Sequence, residues 1–368
     1  MSKPAYTASD IVVLKGLESV RRRPGMYFGG TGAAGLHHLL WEIVGNVIDL
    51  HLSQLATTLL VEITPDAWVT VRDDGPGIRP SILTRACTEL HAGATFDGHL
   101  PHVHVTSSLR GVGVASVNAV STEFEIETTF EGVRYRQAFA CGNEVSPIVA
   151  LGASTVEGTT VRFHPDPQIF TTLAFDACAI RDRLQELAWL NPLLRVFFQG
   201  ERISGRGGLL GWATSLASQR AEPLAVFSTR SVVDRISTDI ALLWGGGVAP
   251  VIHSFVNMGR SVGGTHVDGL WEGLARCAKA LGAKSSAKAA VTERMSSNLI
   301  AIVHVGLYHP AFAGPTKEQL TSPEAGAAVA ETLAADLPAM IPRNTALRDL
   351  FAVRLGARTP KASKRKRT

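Results

Sequence analysis

The sequence predicts an α+β protein built as two layered domains, and three observations carry that reading. At 368 residues the chain is long enough to bury two hydrophobic cores. Residues 1–200 interleave hairpin-forming strands with three or four amphipathic helices, the pattern of helices laid on a mostly antiparallel sheet. Beyond a glycine-rich break at residues 205–208 the order becomes strand, helix, strand, which implies a right-handed crossover. A hydrophobic content of 45% with 18% charged residues fits an ordinary globular chain.

In chain order, residues 1–10 lack apolar periodicity and read as an arm. Residues 11–23 are amphipathic, and Pro24 is expected to stop that helix. Gly29, Gly30 and Gly32 loosen the approach to a central helix over residues 35–52. Residues 59–64 and 68–72 alternate around Pro65-Asp66, as a β-hairpin does. The second strand runs into Asp73-Asp74-Gly75-Pro76-Gly77. Residues 93–106 hold three histidines and no pattern, so they read as a functional loop or lid. Residues 114–119 start a helix; residues 124–129 and 134–140 form a second hairpin around Glu131-Gly132. A strand at 158–163 and an amphipathic helix at 175–190 complete the first domain.

In the second domain, residues 240–244 and 251–257 are expected strands. Gly263-Gly264-Thr265-His266 opens a helix reaching Leu281. Residues 282–297 are small and polar and read as a surface loop, residues 298–307 as a buried strand. Residues 314–317 form a turn. Ser322 and Pro323 are the expected N-cap and first residue of an alanine-rich helix.

The central helix carries the most informative chemistry. Glu42, Asn46 and Asp49 stand at i, i+4 and i+7, one face of a helix whose remaining circumference is largely apolar. Inward-facing carboxylates and an amide are costly unless they bind something. Two readings stand: a metal–phosphate site, with a carboxylate to activate water and the amide oxygen to ligate Mg²⁺, or a buried polar cluster at a domain seam. The Asp73–Gly77 turn lets backbone approach a ligand, and its leading Asp can accept from an amino group; a plain strand-ending turn would look the same. Gly111-Val112-Gly113 feeds a helix N-terminus and offers amides to a phosphate. Lys317 taken alone is a solvated surface lysine.

Charge and cysteine content exclude other classes. Net charge is +4, but Arg358, Lys361, Lys364, Arg365, Lys366 and Arg367 crowd the last eleven residues, leaving the remainder about −2. Only the tail, not the body, is a candidate for DNA or another acidic partner. Cys87, Cys141, Cys178 and Cys277 form no CxxC pair, which argues against zinc and a disulfide framework. No apolar stretch approaches the ~18 residues of a membrane span and no signal peptide opens the chain, so a cytoplasmic protein with no membrane association is expected.

Leu14-Lys15-Gly16-Leu17-Glu18-Ser19-Val20-Arg21, then Arg23-Pro24-Gly25-Met26-Tyr27, Leu36-His37-His38, Leu90-His91-Ala92-Gly93, Pro165-Asp166 and Gly263-Gly264-Thr265-His266 together resemble one family. It is the Bergerat-fold (GHKL) ATPase superfamily, and within it the ATPase and transducer region of the bacterial DNA gyrase and topoisomerase IV B-type subunits. The resemblance runs from about residue 9 to 340. It implies an arm at 1–10, a GHKL ATP-binding domain at 11–207, a ribosomal-S5-like βαβ transducer at 208–345 and a basic tail at 346–368. It also implies ATP and Mg²⁺ as ligands. Glu42 would be the general base and Asn46 the Mg²⁺ ligand. Asp73 would read the adenine amino group with Thr159 assisting, while Gly75 and Gly77 pass beside the base. Gly111, Val112 and Gly113 would meet the phosphates, and Lys317 would reach the γ-phosphate. The implied partners are a second copy in an ATP-dependent homodimer, a gyrase A subunit, or a full-length gyrase B subunit.

Departures accompany the likeness. Ser107-Ser108 stand for a glycine pair, Arg110 for a histidine, and lid lysines are absent near Thr95 and His104. Pro315 replaces the glutamine before Thr316-Lys317. Leu50 and Pro76 replace a Glu and an Arg that commonly pair, and Gly45 replaces an acidic residue at roughly 1 kcal/mol. The sequence-level expectation is therefore a Mg–ATP-binding, hydrolysing gate module of a type II topoisomerase without the DNA-cleavage domain. The alternative is a nucleotide-binding pseudo-ATPase that regulates or protects gyrase by binding its B subunit or its inhibitors.

Overall fold

The structure, a computed structural model, describes residues 14, 16–90, 113–217, 225–245, 249–284, 286–314 and 317–357. The N-terminal arm, the lid segment with Gly111 and Val112, Pro315-Thr316 and residues 358–368 of the basic tail fall outside them. Packing divides the chain into two units, with the division inside one helix between Asp182 and Arg183 and residues 196–202 returning to the first unit.

The first unit begins with α1 (Leu17–Arg22), α2 (Pro24–Phe28) and α3 (Ala33–Leu52), followed by the hairpin β1 (Thr58–Ile63) and β2 (Val69–Asp73). Next come α4 (Pro80–Thr88), α5 (Gly113–Ala119), β3 (Ser121–Phe130), β4 (Val133–Ala140), β5 (Asn143–Glu144), β6 (Val149–Ala153) and β7 (Gly158–Pro165). Then α6 (Ala177–Leu190) carries the chain over the division, and β8 (Arg195–Phe198) and β9 (Glu201–Ile203) return to the sheet. The strands order as β5-β4-β3-β7-β2-β1-β8-β9, with β6 also on β4. Strands alternate buried and exposed residues: Val69, Val71 and Asp73 on β2 and Phe124, Ile126 and Thr128 on β3 are all buried. α3 packs on β2 with Leu36, Leu39, Leu40, Ile43, Val44, Val47 and Ile48 buried.

Pro24 ends α1 as expected but also starts α2 from its first position, where a missing N–H costs nothing. The opening helix is tied down by Arg21, which donates to the Ala119 carbonyl at 2.7 Å and pairs with buried Asp166 at 2.6 Å.

The second unit holds α7 (Gly208–Ala217), β10 (Ala225–Val233), β11 (Ile236–Trp244), β12 (Val251–Val256), β13 (Gly259–Ser261) and β14 (Gly263–Gly264). They are followed by α8 (Thr265–Ala280), α9 (Lys288–Ser296), β15 (Leu299–Gly306), β16 (Gln319–Leu320), α10 (Pro323–Met340) and α11 (Thr345–Leu355). The larger sheet runs β10-β11-β15-β12-β13. β12 and β15 are parallel, Val251 opposite Ile300 through Val256 opposite Val305, so the strand–helix–strand expectation is met by a crossover through α8 and α9. The core lies between this sheet and α8, α9, α10 and α11.

Three sequence expectations need correction here. Residues 282–297 are not a loop throughout: α9 forms because Val291 and Met295, four apart, are both buried, and the Trp244 indole donates to the Met295 carbonyl at 2.7 Å. Ser322 occupies the N-cap of α10 without capping it, because its hydroxyl accepts from the Ala311 amide at 2.9 Å instead. The implied tail at 346–368 opens with a packed helix: α11 is capped by Asn344, which accepts from the Leu347 amide at 3.1 Å, and buries Leu347, Phe351 and Leu355. Cys87, Cys141, Cys178 and Cys277 are all free thiols.

Candidate active site

β3, β7 and β2 lie side by side and bring three polar side chains to the inward face of the sheet. Asp73 closes β2 with only 7% of its surface exposed. Burial pushes its carboxyl above the ordinary range, and hydrogen bonds from the Gly75 amide (2.8 Å) and the Thr159 amide (3.2 Å), both to Oδ1, partly oppose that. Oδ2 accepts no hydrogen bond among the described residues. Thr159, the second residue of β7, stands directly opposite Thr128 on β3, with hydroxyl oxygens 3.1 Å apart.

Two glycines make this corner possible. A side chain at Gly158 would place Cβ 2.0 Å from the Asp73 carbonyl oxygen, and at Gly77 1.8 Å from that of Thr129. Both residues also have left-handed φ, +117° and +76°. Asp74 is turned away: its carboxylate accepts from the amides and hydroxyls of Thr57 and Thr58. Burial works against the charge, but those bonds outweigh it and hold the carboxyl at about 2. Of the two adjacent aspartates, one is committed to the fold and one is open to a ligand.

The helical wall supplies Glu42, buried at 8% exposure on α3. The Gly113 amide donates to its Oε2 at 3.1 Å, and His38 Nε2, one turn earlier, lies 3.4 Å from Oε1 without hydrogen-bond geometry. That His38 nitrogen is buried and has no hydrogen-bond partner among the described residues. Asn46 is half-buried, and its side-chain carboxamide makes no hydrogen bond among the described residues.

The fold thus joins Asp73, Gly75 and Thr159 in one hydrogen-bonded cluster and Glu42 with Gly113 in a second, linked by the packing of α3 on β2. Gly111 and Val112 lie outside the described residues. Lys317 belongs to the second unit, half-buried with φ +55° and its amide bonded to the Gly314 carbonyl at 3.1 Å. The sequence reading passed over His38, Thr128 and Gly158. His38 is signalled by its i, i+4 spacing to Glu42, whereas nothing local marks Thr128, whose part depends on the strand opposite it.

No cluster of three or more His, Cys, Asp or Glu suited to a metal occurs among the described residues. A Mg²⁺ ion here would rest on Asn46 and on phosphate oxygens, which suits an ion that usually keeps waters and substrate oxygens in its shell.

Residues 31–169 match the histidine kinase-, DNA gyrase B- and HSP90-like ATPase family, and residues 208–367 match the DNA gyrase B family. The chain belongs to the gyrase B family. Its two units are therefore a GHKL ATPase domain and a transducer domain. It is 34% identical over 354 residues to the DNA gyrase B subunit of Chlamydia muridarum, covering 87% of this chain and 44% of that protein. It is 36% identical over 354 residues to the Thermus thermophilus gyrase B subunit, covering 89% and 55% respectively. The crystal structure of the 43K ATPase domain of Thermus thermophilus gyrase B, in complex with an aminocoumarin, matches with a TM-score of 0.76 and 30% identity over 92% of this chain and 95% of that one. The chain spans about half the length of the curated relatives it matches. No helix among the described residues is long and apolar enough to cross a membrane.

Proposed function

We propose that the first unit binds Mg²⁺–ATP and hydrolyses it, serving as the ATP-operated dimerisation gate of a gyrase-type machine. The observation that carries this reading is Glu42: a carboxylate buried on α3, held by the Gly113 amide at 3.1 Å and flanked by His38. A buried carboxylate is costly unless it is paired or hydrogen-bonded, and the one amide on Glu42 leaves acceptor capacity for a water molecule.

In the reaction, Asp73 and Thr159 hold the adenine edge. Glu42 takes a proton from a water molecule as its oxygen attacks the γ-phosphorus; the bond to the β-phosphate oxygen breaks and ADP leaves. His38 packs against the carboxylate and limits its rotation. Asn46 would hold Mg²⁺, which when bound neutralises phosphate charge. The α5 N-terminus at Gly113, together with Gly111 and Val112, would offer amides to the phosphates.

Steady-state ATP hydrolysis tests this, with Glu42→Ala as control. Turnover should fall by at least about 10²-fold in that variant. Wild-type turnover no higher than the Glu42→Ala rate, with nucleotide binding retained, would remove hydrolysis and leave the regulatory nucleotide-binding alternative. Co-purification with a full-length gyrase B subunit would then support that alternative.

A further inference from the structure

The two threonines at the base end of the site fix each other's protons. Thr128 is 1% exposed, and its hydroxyl oxygen accepts from the Ile78 amide at 2.7 Å. Its neighbour at 3.1 Å is the Thr159 hydroxyl, and geometry alone lets either oxygen donate across that gap. A hydroxyl has one proton to give and two positions to accept. Among the described residues, the Thr128 proton has no acceptor other than Thr159 Oγ1. Leaving it unused in a buried place forfeits a hydrogen bond, so Thr128 donates and Thr159 accepts. The Thr159 proton then has no acceptor among the described residues and is free for a ligand.

Next to it, Asp73 Oδ1 is engaged by the Thr159 amide at 3.2 Å while Oδ2 stays open to accept. The pocket therefore offers an acceptor beside a donor. Adenine presents the complementary edge, a 6-amino donor beside the N1 acceptor. Guanine presents the reverse, an O6 acceptor beside an N1–H donor. To admit guanine, Thr159 would have to accept from N1–H as well as from Thr128, which leaves its own proton without an acceptor among the described residues.

We propose that Thr128 is a positioning residue for base selection, holding the Thr159 hydroxyl as a donor so that the site takes adenine and refuses guanine. This rests on the ATP reading of the site and adds a residue and a proton direction to it. Asp73 contributes its own discrimination, so loss of Thr128 weakens the selection without abolishing it.

Binding calorimetry with the imidotriphosphate analogues of ATP, GTP and 1-deaza-ATP, on wild type, Thr128→Val and Thr128→Ser, tests the proposal. Thr128→Val should lower the ATP-to-GTP affinity ratio by about fivefold or more, and Thr128→Ser should restore it. A merely structural Thr128 would weaken both nucleotides alike; an unchanged ratio in Thr128→Val therefore overturns the proposal. Should Thr128→Val fail to fold, the wild-type protein still decides. The 1-deaza analogue, with carbon in place of N1, should bind about fivefold more weakly than its parent, and equal binding overturns the assigned proton direction. Wild-type protein that binds none of the three sinks the ATP reading and this proposal together. ATP-analogue binding with an unmoved ratio sinks this proposal alone.

Discussion

At the scale of single residues, the corner where β2 meets β7 depends on the absence of a side chain at Gly158. Gly158→Ala would press Cβ to 2.0 Å from the Asp73 carbonyl oxygen at a φ of +117°. The expected outcome is a loss of about 2 kcal/mol or more together with weaker nucleotide binding, because the distortion falls on Asp73 itself. Thermal unfolding and calorimetry on one preparation check both. Asp73 also makes a pH prediction. Burial raises its carboxyl above the ordinary range, so on acidification the open oxygen protonates earlier than an exposed aspartate would. Affinity for an ATP analogue should accordingly fall on the acid side before the fold itself gives way, and a titration flat down to pH 4 would contradict it. Glu42 and Asp73 stand out in the sequence because a charged residue on a buried helix face or at the end of a strand is chemically conspicuous, whereas Thr159 is named only through the family resemblance. Thr128 does not stand out, since its part depends on which strand lies opposite it, a fact of sheet order rather than of local pattern.

At the scale of elements, helices with a buried apolar stripe and strands with clean alternation were legible, as α3, β1, β2, β3, β4, β7 and α8 show. Misreadings fell where burial is narrow. α9 presents only Val291 and Met295 to the core from an otherwise exposed or half-exposed helix, which reads as loop until its neighbours are known. Met295→Ala should therefore cost about 2–4 kcal/mol despite its polar surroundings in sequence, measurable by denaturant unfolding. The pairing of α8 with α10 depends on backbone-to-backbone approach. A Cβ on Gly269 would lie 2.2 Å from the Gly326 carbonyl oxygen, so Gly269→Ala should push the helices apart and destabilise the second unit by about 2 kcal/mol or more. A tolerated substitution would mean that the seam has slack.

At the scale of the whole molecule, the two-domain α+β organisation could be read from strand and helix order, and the family from scattered motifs. The gyrase B family match begins at residue 208, beside the glycine-rich residues 205–208, whereas packing changes unit inside α6, a continuous helix with no local signal. The second unit should also be acid-sensitive. Burial of His266, aided by the nearby charge of His304, lowers its pKa from 6.5 to about 4. The unfolded chain binds that proton more readily, so stability is fully present above about pH 6.5 and lost as pH falls through about 4, by up to roughly 3 kcal/mol. His266→Gln, which can keep the bond to the Ser261 hydroxyl, should flatten that slope in chemical denaturation across pH. On the gate reading, a non-hydrolysable ATP analogue should double the mass seen by light scattering; a mass unchanged at saturating analogue would contradict the gate.

The central claim is that Asp73 and its neighbours receive an adenine nucleotide. Calorimetric titration of a non-hydrolysable ATP analogue with Mg²⁺ into wild type and Asp73→Asn tests it most directly. Asn keeps an oxygen for the Gly75 and Thr159 amides but presents N–H where an acceptor is required. The expected result is saturable one-to-one binding to the wild type, weakened about tenfold to a hundredfold in a variant that unfolds at nearly the same temperature. Equal affinity in the two proteins, or no heat of binding to the wild type, would contradict it.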